Sequence, residues 1–127
     1  MLSGGTGKIY DSNVIGNTGY ALVFNADIND FQAYENNFTS LSADYALYIR
    51  GSNNLFWNNF IMDANSSTPG AIDLNSNLWY NHDQNVGNYW ADYNFSAYCT
   101  GGQVGVEPYT IDLDSVDQYP LCSWPYC

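Results

Sequence analysis

Apolar and polar positions recur along this chain with a period of about 22 to 25 residues. Three segments carry the pattern in full: IYDSNV from Ile9, AYENNF from Ala33 and LFWNNF from Leu55. In each, an apolar residue is followed three places later by Ser or Asn, and two places after that by another apolar residue. A fourth segment, LWYNHD from Leu78, starts alike and then departs. A second block follows at a near-constant distance: YALVF from Tyr20, YALYI from Tyr45 and GAIDL from Gly70. Self-similarity at this period predicts β coils that cannot bury their own apolar faces and must stack on one another.

Strand side chains alternate between faces, so the repeat sorts into inside and outside. Ile9, Ala33, Leu55 and Leu78 are expected inside, with Val14, Phe38 and Phe60 as the next inward row. Ser12, Asn36, Asn58 and Asn81 fall at the turn between them, where an inward Asn can bond its own coil and the Asn of the next as a polar ladder. The second block places Leu22, Leu47 and Ile72 inside, then Phe24, Ile49 and Leu74, with Ala21, Ala46 and Ala71 at a tight position before them. Outward, Tyr10, Tyr34, Phe56 and Trp79 form an aromatic stripe. Beside it lie Asp11, Glu35, Trp57 and Tyr80, then Asn13, Asn37, Asn59 and His82. An exposed aromatic stripe suits sugar rings or a protein partner.

Composition supports β structure. Tyr, Phe, Trp, Val and Ile dominate the apolar set, with Asn and Gly between the blocks, while helix formers are scarce. At 127 residues the chain is one domain. Its segments read as a flexible start over 1–8, coils over 9–86 and a capping segment over 87–127. The formal net charge is −11, with Lys8 and Arg50 as the lone basic residues apart from His82. Such a surface repels phosphate backbones and anionic lipid, so nucleic acid is excluded as a partner. No stretch is long enough to span a membrane as an apolar helix.

The sequons at Asn37, Asn65 and Asn94 are N-glycosylation acceptors and point to an extracellular or cell-surface setting. Cys99, Cys122 and Cys127 lack a Cys-x-x-Cys pair or His partner, so a disulfide is expected and zinc is not. Cys99 pairs with Cys122 or Cys127, or else Cys122 pairs with Cys127. MLSGGTG is not a signal peptide, which reads as a processed product or a segment of something longer.

The repeat resembles the right-handed parallel β-helix repeat of carbohydrate-binding and sugar-hydrolase (CASH) domains. GNYWADY from Gly87 and EPYTIDLDSVDQYPL from Glu107 resemble the terminal segment of NosD-like β-helix proteins, which are common in archaea. The resemblance implies an all-β fold: a short right-handed parallel β-helix of about four coils with an irregular, aromatic-rich C-terminal cap. Where the family carries an acidic, glycine-rich loop, this chain has YCTGGQVGVEPY, whose missing aspartates remove the oxygen ligands a hard cation needs.

Chemistry is sparse. Asp11 and Glu35 could approach each other on adjacent coils as glycosidases require, but Trp57 and Tyr80 continue that row and no further acid or base supports it. Copper, the metal linked to the NosD name, prefers His, Cys and Met, and His82, Met62 and Met1 are scattered. The expectation is therefore a non-enzyme without cofactor or metal: an extracellular structural or assembly module, self-associating into a homo-oligomer or filament through coil ends and strand edges. The alternative is a carbohydrate-binding module that uses the outward aromatic stripe.

Overall fold

The computed structural model of the chain describes residues 7–42, 45–63, 70–112 and 114–124. It is an all-β structure built mainly from parallel sheets. Nine short strands come in three tiers. The first tier is β1 (Lys8–Tyr10), β2 (Asn13–Gly16) and β3 (Leu22–Phe24). The second is β4 (Gln32–Tyr34), β5 (Asn37–Ser40) and β6 (Leu47–Ile49). The third is β7 (Leu55–Trp57), β8 (Phe60–Met62) and β9 (Ala71–Asp73). Like strands of successive tiers pair in parallel, giving sheets ordered β1-β4-β7, β2-β5-β8 and β3-β6-β9. Each strand therefore hydrogen-bonds to the strand one repeat away, which is why the repeat period is visible in the sequence.

The corners have a common cause. Asp11, Glu35 and Asn58 all take left-handed backbone, with φ of 52°, 59° and 55°. Each sits at the bend between the first and second strand of its tier, where Asp and Asn tolerate that conformation through local hydrogen bonding. Asp11 and Glu35 do occupy equivalent positions on adjacent tiers, but Asn58, not Trp57, continues their row.

The interior is a stack of large rings between the three sheets. Phe24, Phe38, Phe56, Leu47, Ile49, Ile61, Trp79 and Trp90 are all essentially inaccessible. Phe56 lies against Trp79 with centroids 4.3 Å apart and planes 14° apart. Trp90 in turn stacks on Tyr109 at 4.2 Å. Each such ring removes about 150–250 Å² from water, so this column dominates the core's hydrophobic stabilisation.

The third tier corrects the expected register. Ala33 pairs with Phe56, not Leu55, and Leu47 pairs with Ala71, not Ile72. A slip of one residue exchanges the two faces. Phe56 and Trp79, expected outside, are buried, while Leu78 and Leu74, expected inside, are exposed. Ile61 replaces Phe60 in the row of Val14 and Phe38, leaving Phe60 half-buried. Likewise Ile72 is half-buried and Asp73 is inside. The first two tiers follow the expected register, with Leu22, Leu47, Phe24 and Ile49 buried.

The chain beyond the third tier packs over it. β10 (Tyr89–Trp90) adds to the second sheet alongside β8. A one-turn helix α1 (Phe95–Tyr98) follows, with Asn94 as its N-cap, and β11 (Tyr109–Thr110) pairs antiparallel with β12 (Val116–Asp117). A disulfide joins Cys99 to Cys122, deciding among the pairings open in the sequence; Cys127 lies outside the described residues. No helix among the described residues is long and apolar enough to cross a membrane.

Candidate functional site

Two features stand out from the residues upward: a buried polar ladder along one corner, and the unpaired end of the first tier. The ladder runs Ser12, Asn36, Asn59, Asn88, ending on Asp117. Each Asn Oδ1 accepts the backbone N–H of the ladder residue one tier earlier: Ser12 to Asn36 at 3.0 Å, Asn36 to Asn59 at 3.1 Å, Asn59 to Asn88 at 3.2 Å. Each Asn Nδ2 donates to a carbonyl of the previous tier, on Ile9, Ala33 and Phe56 respectively. The carboxamides also bond one another, Asn36 to Asn59 at 3.1 Å and Asn59 to Asn88 at 2.9 Å. A buried amide is tolerated only when its donors and acceptors are engaged, and here they are. The ladder was expected at Asn58 and Asn81. Asn58 instead takes the left-handed corner, and Asn81 caps a local turn by accepting from Asp83 and Gln84. A shorter ladder, Asn54 to Asn77, serves another corner.

Asp117 closes the main ladder where a further Asn would stand. Its carboxylate accepts from Asn88 N at 2.7 Å, Trp90 Nε1 at 2.8 Å and Tyr119 N at 2.9 Å. Burial pushes its carboxyl up to about 7, against the pull of these donors. Gly87 makes room for it, since a Cβ there would lie 1.8 Å from Asp117 Oδ1. Asp73 is held similarly, accepting from Trp79 Nε1, Ser115 Oγ, Asn75 N and Asn77 Nδ2. Those four donors explain how an acid expected on an outer face lies inside. Tyr109 donates to Asp92, and burial raises both groups above their ordinary range.

The aromatic row on the outer side of the first sheet is Tyr10, Tyr34 and Trp57, of which Tyr10 is exposed, Tyr34 half-buried and Trp57 buried. Tyr10 and Tyr34 stack at 5.3 Å with planes 6° apart, and Tyr34 and Trp57 at 4.4 Å and 20°. The predicted contact residues Tyr10, Tyr34, Phe56 and Trp79 thus separate into two sets, with Phe56 and Trp79 in the core. Stacking also changes what the row can do. Sugar binding on an aromatic platform needs a free ring face, whereas these rings turn their faces to one another along the stack. Tyr10, at 56% exposure, ends the row with one face uncovered.

That face belongs to the open end of the molecule. Among the described residues no strand pairs with the outer edges of β1, β2 and β3. The direction of the free groups follows from the bonds already made. Gln32 N donates to Gly7 O, so alternation turns the N–H and C=O of Lys8 and Tyr10 outward from the sheet edge. Asn37 N and Leu41 N take the carbonyls of Ser12 and Gly16, leaving Asn13 and Ile15 facing the open side. Arg50 N takes Phe24 O, which leaves Val23.

Of the sequons, Asn94 is exposed and accepts from Ser96 Oγ and Ala97 N. Asn37 is half-buried within the second sheet and accepts from Thr39 Oγ1 at 2.6 Å; Asn65 lies outside the described residues. A cleft of about 420 Å³ is lined by Asp73, Asn75, Asp112 and Asp114. Among the described residues no group of three or more His, Cys, Asp or Glu is arranged to hold a metal ion. His82 is exposed. No protein-family model, curated protein or solved structure matches the chain.

Proposed function

We propose that this chain is an extracellular structural module that acts by assembly, not by turnover, and that its tiers are coils of a right-handed parallel β-helix of the NosD-like kind. The observation that carries the assembly reading is the set of three strand edges that no strand among the described residues pairs with, together at one end, with an uncovered aromatic face beside them. Unpaired edges are templates for pairing with another chain. The Cys99–Cys122 bond and the exposed Asn94 sequon support an oxidising, extracellular setting with a glycan on the surface. The stacked geometry of Tyr10, Tyr34 and Trp57 favours assembly over the competing carbohydrate-binding reading, because stacking leaves Tyr10 alone of the three with a free ring face, too little for a sugar-binding platform.

Sedimentation velocity over a wide concentration range tests the proposal. Wild-type protein is expected to associate reversibly. The variant Ile15→Pro should not, because Pro removes a free-edge N–H while sparing the bonds between β2 and β5. A chain that stays monomeric at the highest concentration, or that degrades a polysaccharide, overturns the proposal.

A further inference from the structure

We infer that the partner at the open end is a second copy of this chain, bound like end to like end, so that assembly stops at a symmetric dimer. This rests on the assembly reading above and specifies its partner. The two ends of the molecule differ. At one, no strand among the described residues pairs with the outer edges of β1, β2 and β3; at the other, β10 pairs with β8, Leu78 bridges Leu55, and Tyr109 and Ser115 bond Gly70 and Asp73 of the third tier. A second copy stacking head to tail would have to displace Trp90, Tyr109 and Asp117 from a fully bonded, buried layer. An open first tier therefore finds its complement in another open first tier. Such pairing is isologous, with a two-fold axis across the stack, and a closed two-fold contact does not propagate.

A two-fold of this kind runs facing strands antiparallel. Centred on Ile9, it sets β1 against β1 of the second copy and β2 against its β3. Lys8 then lies opposite Tyr10 of the second copy. Both residues turn their N–H and C=O to the open side, so each pair can exchange two hydrogen bonds, the closer-bonded arrangement of an antiparallel ladder. The Tyr10 carbonyl accepts Ser12 Oγ at 3.0 Å and keeps a second lone pair for this. Side chains agree with the same register. Lys8, one of only two Lys or Arg residues in the sequence, is brought to the uncovered face of Tyr10 and beside Asp11 of the second copy. The first tier thus carries a cation, an aromatic face and an acid in an order that is self-complementary under two-fold rotation. Ile15, 48% exposed, and Val23 lie on the strands brought together beside it.

The test combines stoichiometry with a covalent trap, in a Cys127→Ser background to remove that thiol. Sedimentation equilibrium should give a dimer and nothing larger, lost in Ile15→Pro. Its association should strengthen with salt, because two bodies of −11 repel. The double variant Lys8→Cys with Tyr10→Cys should oxidise to a covalent dimer, since an exchanged antiparallel pair has Cα atoms about 5.5 Å apart, within disulfide range. Polymers, or a dimer that survives Ile15→Pro and fails to cross-link, overturn the like-end pairing and leave assembly standing. A strict monomer overturns both.

Discussion

Replacing Asn59 by Ala should be among the most damaging single changes in the molecule, whereas replacing its neighbour Asn58 by Gly should be nearly silent. The Asn59 side chain is fully buried and engages four groups. Its Oδ1 accepts Asn36 N and Asn36 Nδ2, and its Nδ2 donates to Ala33 O and Asn88 Oδ1. Asn36 Nδ2 keeps its bond to Ile9 O, and Asn88 Oδ1 keeps Asn59 N. The change therefore strands Asn36 N without water, while Ala33 O keeps the bond from Trp57 N that the register of β4 and β7 sets. One orphaned buried group costs about 1–3 kcal/mol, so the loss is about 2–4 kcal/mol with the small cavity included. That is a large fraction of the ~5–15 kcal/mol expected of a domain. Asn58 sits at φ 55°, where Gly relieves the left-handed backbone, and the change should stay within about 1 kcal/mol. Urea unfolding followed by tryptophan fluorescence, with the disulfide intact, measures both. If Asn58→Gly costs more than Asn59→Ala, the third tier is out by one residue and the reasoning fails.

Asp117 should make stability pH-dependent. Its folded value of about 7 is raised above the ordinary 3.8, so between those values the native state holds a proton the unfolded chain has lost. The contribution, on the order of 4 kcal/mol, is full below about pH 4 and lost as pH rises through 7; Asp117→Asn should flatten that slope in denaturation curves measured from pH 4 to 8. Gly87→Ala should cost about 3 kcal/mol or more, because its Cβ collides with the Asp117 carboxylate, and normal expression and melting of this variant would contradict the packing. Reducing the Cys99–Cys122 bond, which spans 23 residues, should lower stability by about 3 kcal/mol in the same urea assay; an unchanged midpoint would show that the segment is held without it. In native material, intact-mass and peptide analysis should find glycan at Asn94 in preference to Asn37, whose side chain is half-buried in a sheet; occupancy at Asn37 alone would reverse that order.

Much of the sheet structure was legible because parallel strands pair with their own repeat, so the pairing distance is the sequence period. The face assignment succeeded where apolar and polar residues alternate, as in Leu22-Val23-Phe24 and its partner strand Leu47-Tyr48-Ile49. It failed in the third tier, where Leu55-Phe56-Trp57 is apolar throughout and Asn58-Asn59 offers two equivalent ladder residues. There the choice is made by volume: Phe56 fills the column between Phe24 and Trp79. GAIDL misled for a related reason, since an Asp is read as exposed unless its donors are known, and those of Asp73 combine the nearby Asn75, Asn77 and Trp79 with Ser115 far along the chain. The end of the ladder was missed altogether. Asn88 lies within GNYW and Asp117 within VDQY, and nothing local marks either as the continuation of a row that starts at Ser12. Which backbone groups the first tier presents to its outer side required the bonds themselves.

Residue-resolved hydrogen exchange tests the assembly claim most directly. The amides of Lys8, Tyr10, Asn13, Ile15 and Val23 face the open side of the first tier, so their protection reports whether that edge is used. In concentrated wild-type protein they should be protected, and dilution should release all five together while the amides of β5 and β6 stay protected. Exchange of those five amides at one rate across all concentrations, fast or slow, would contradict the account.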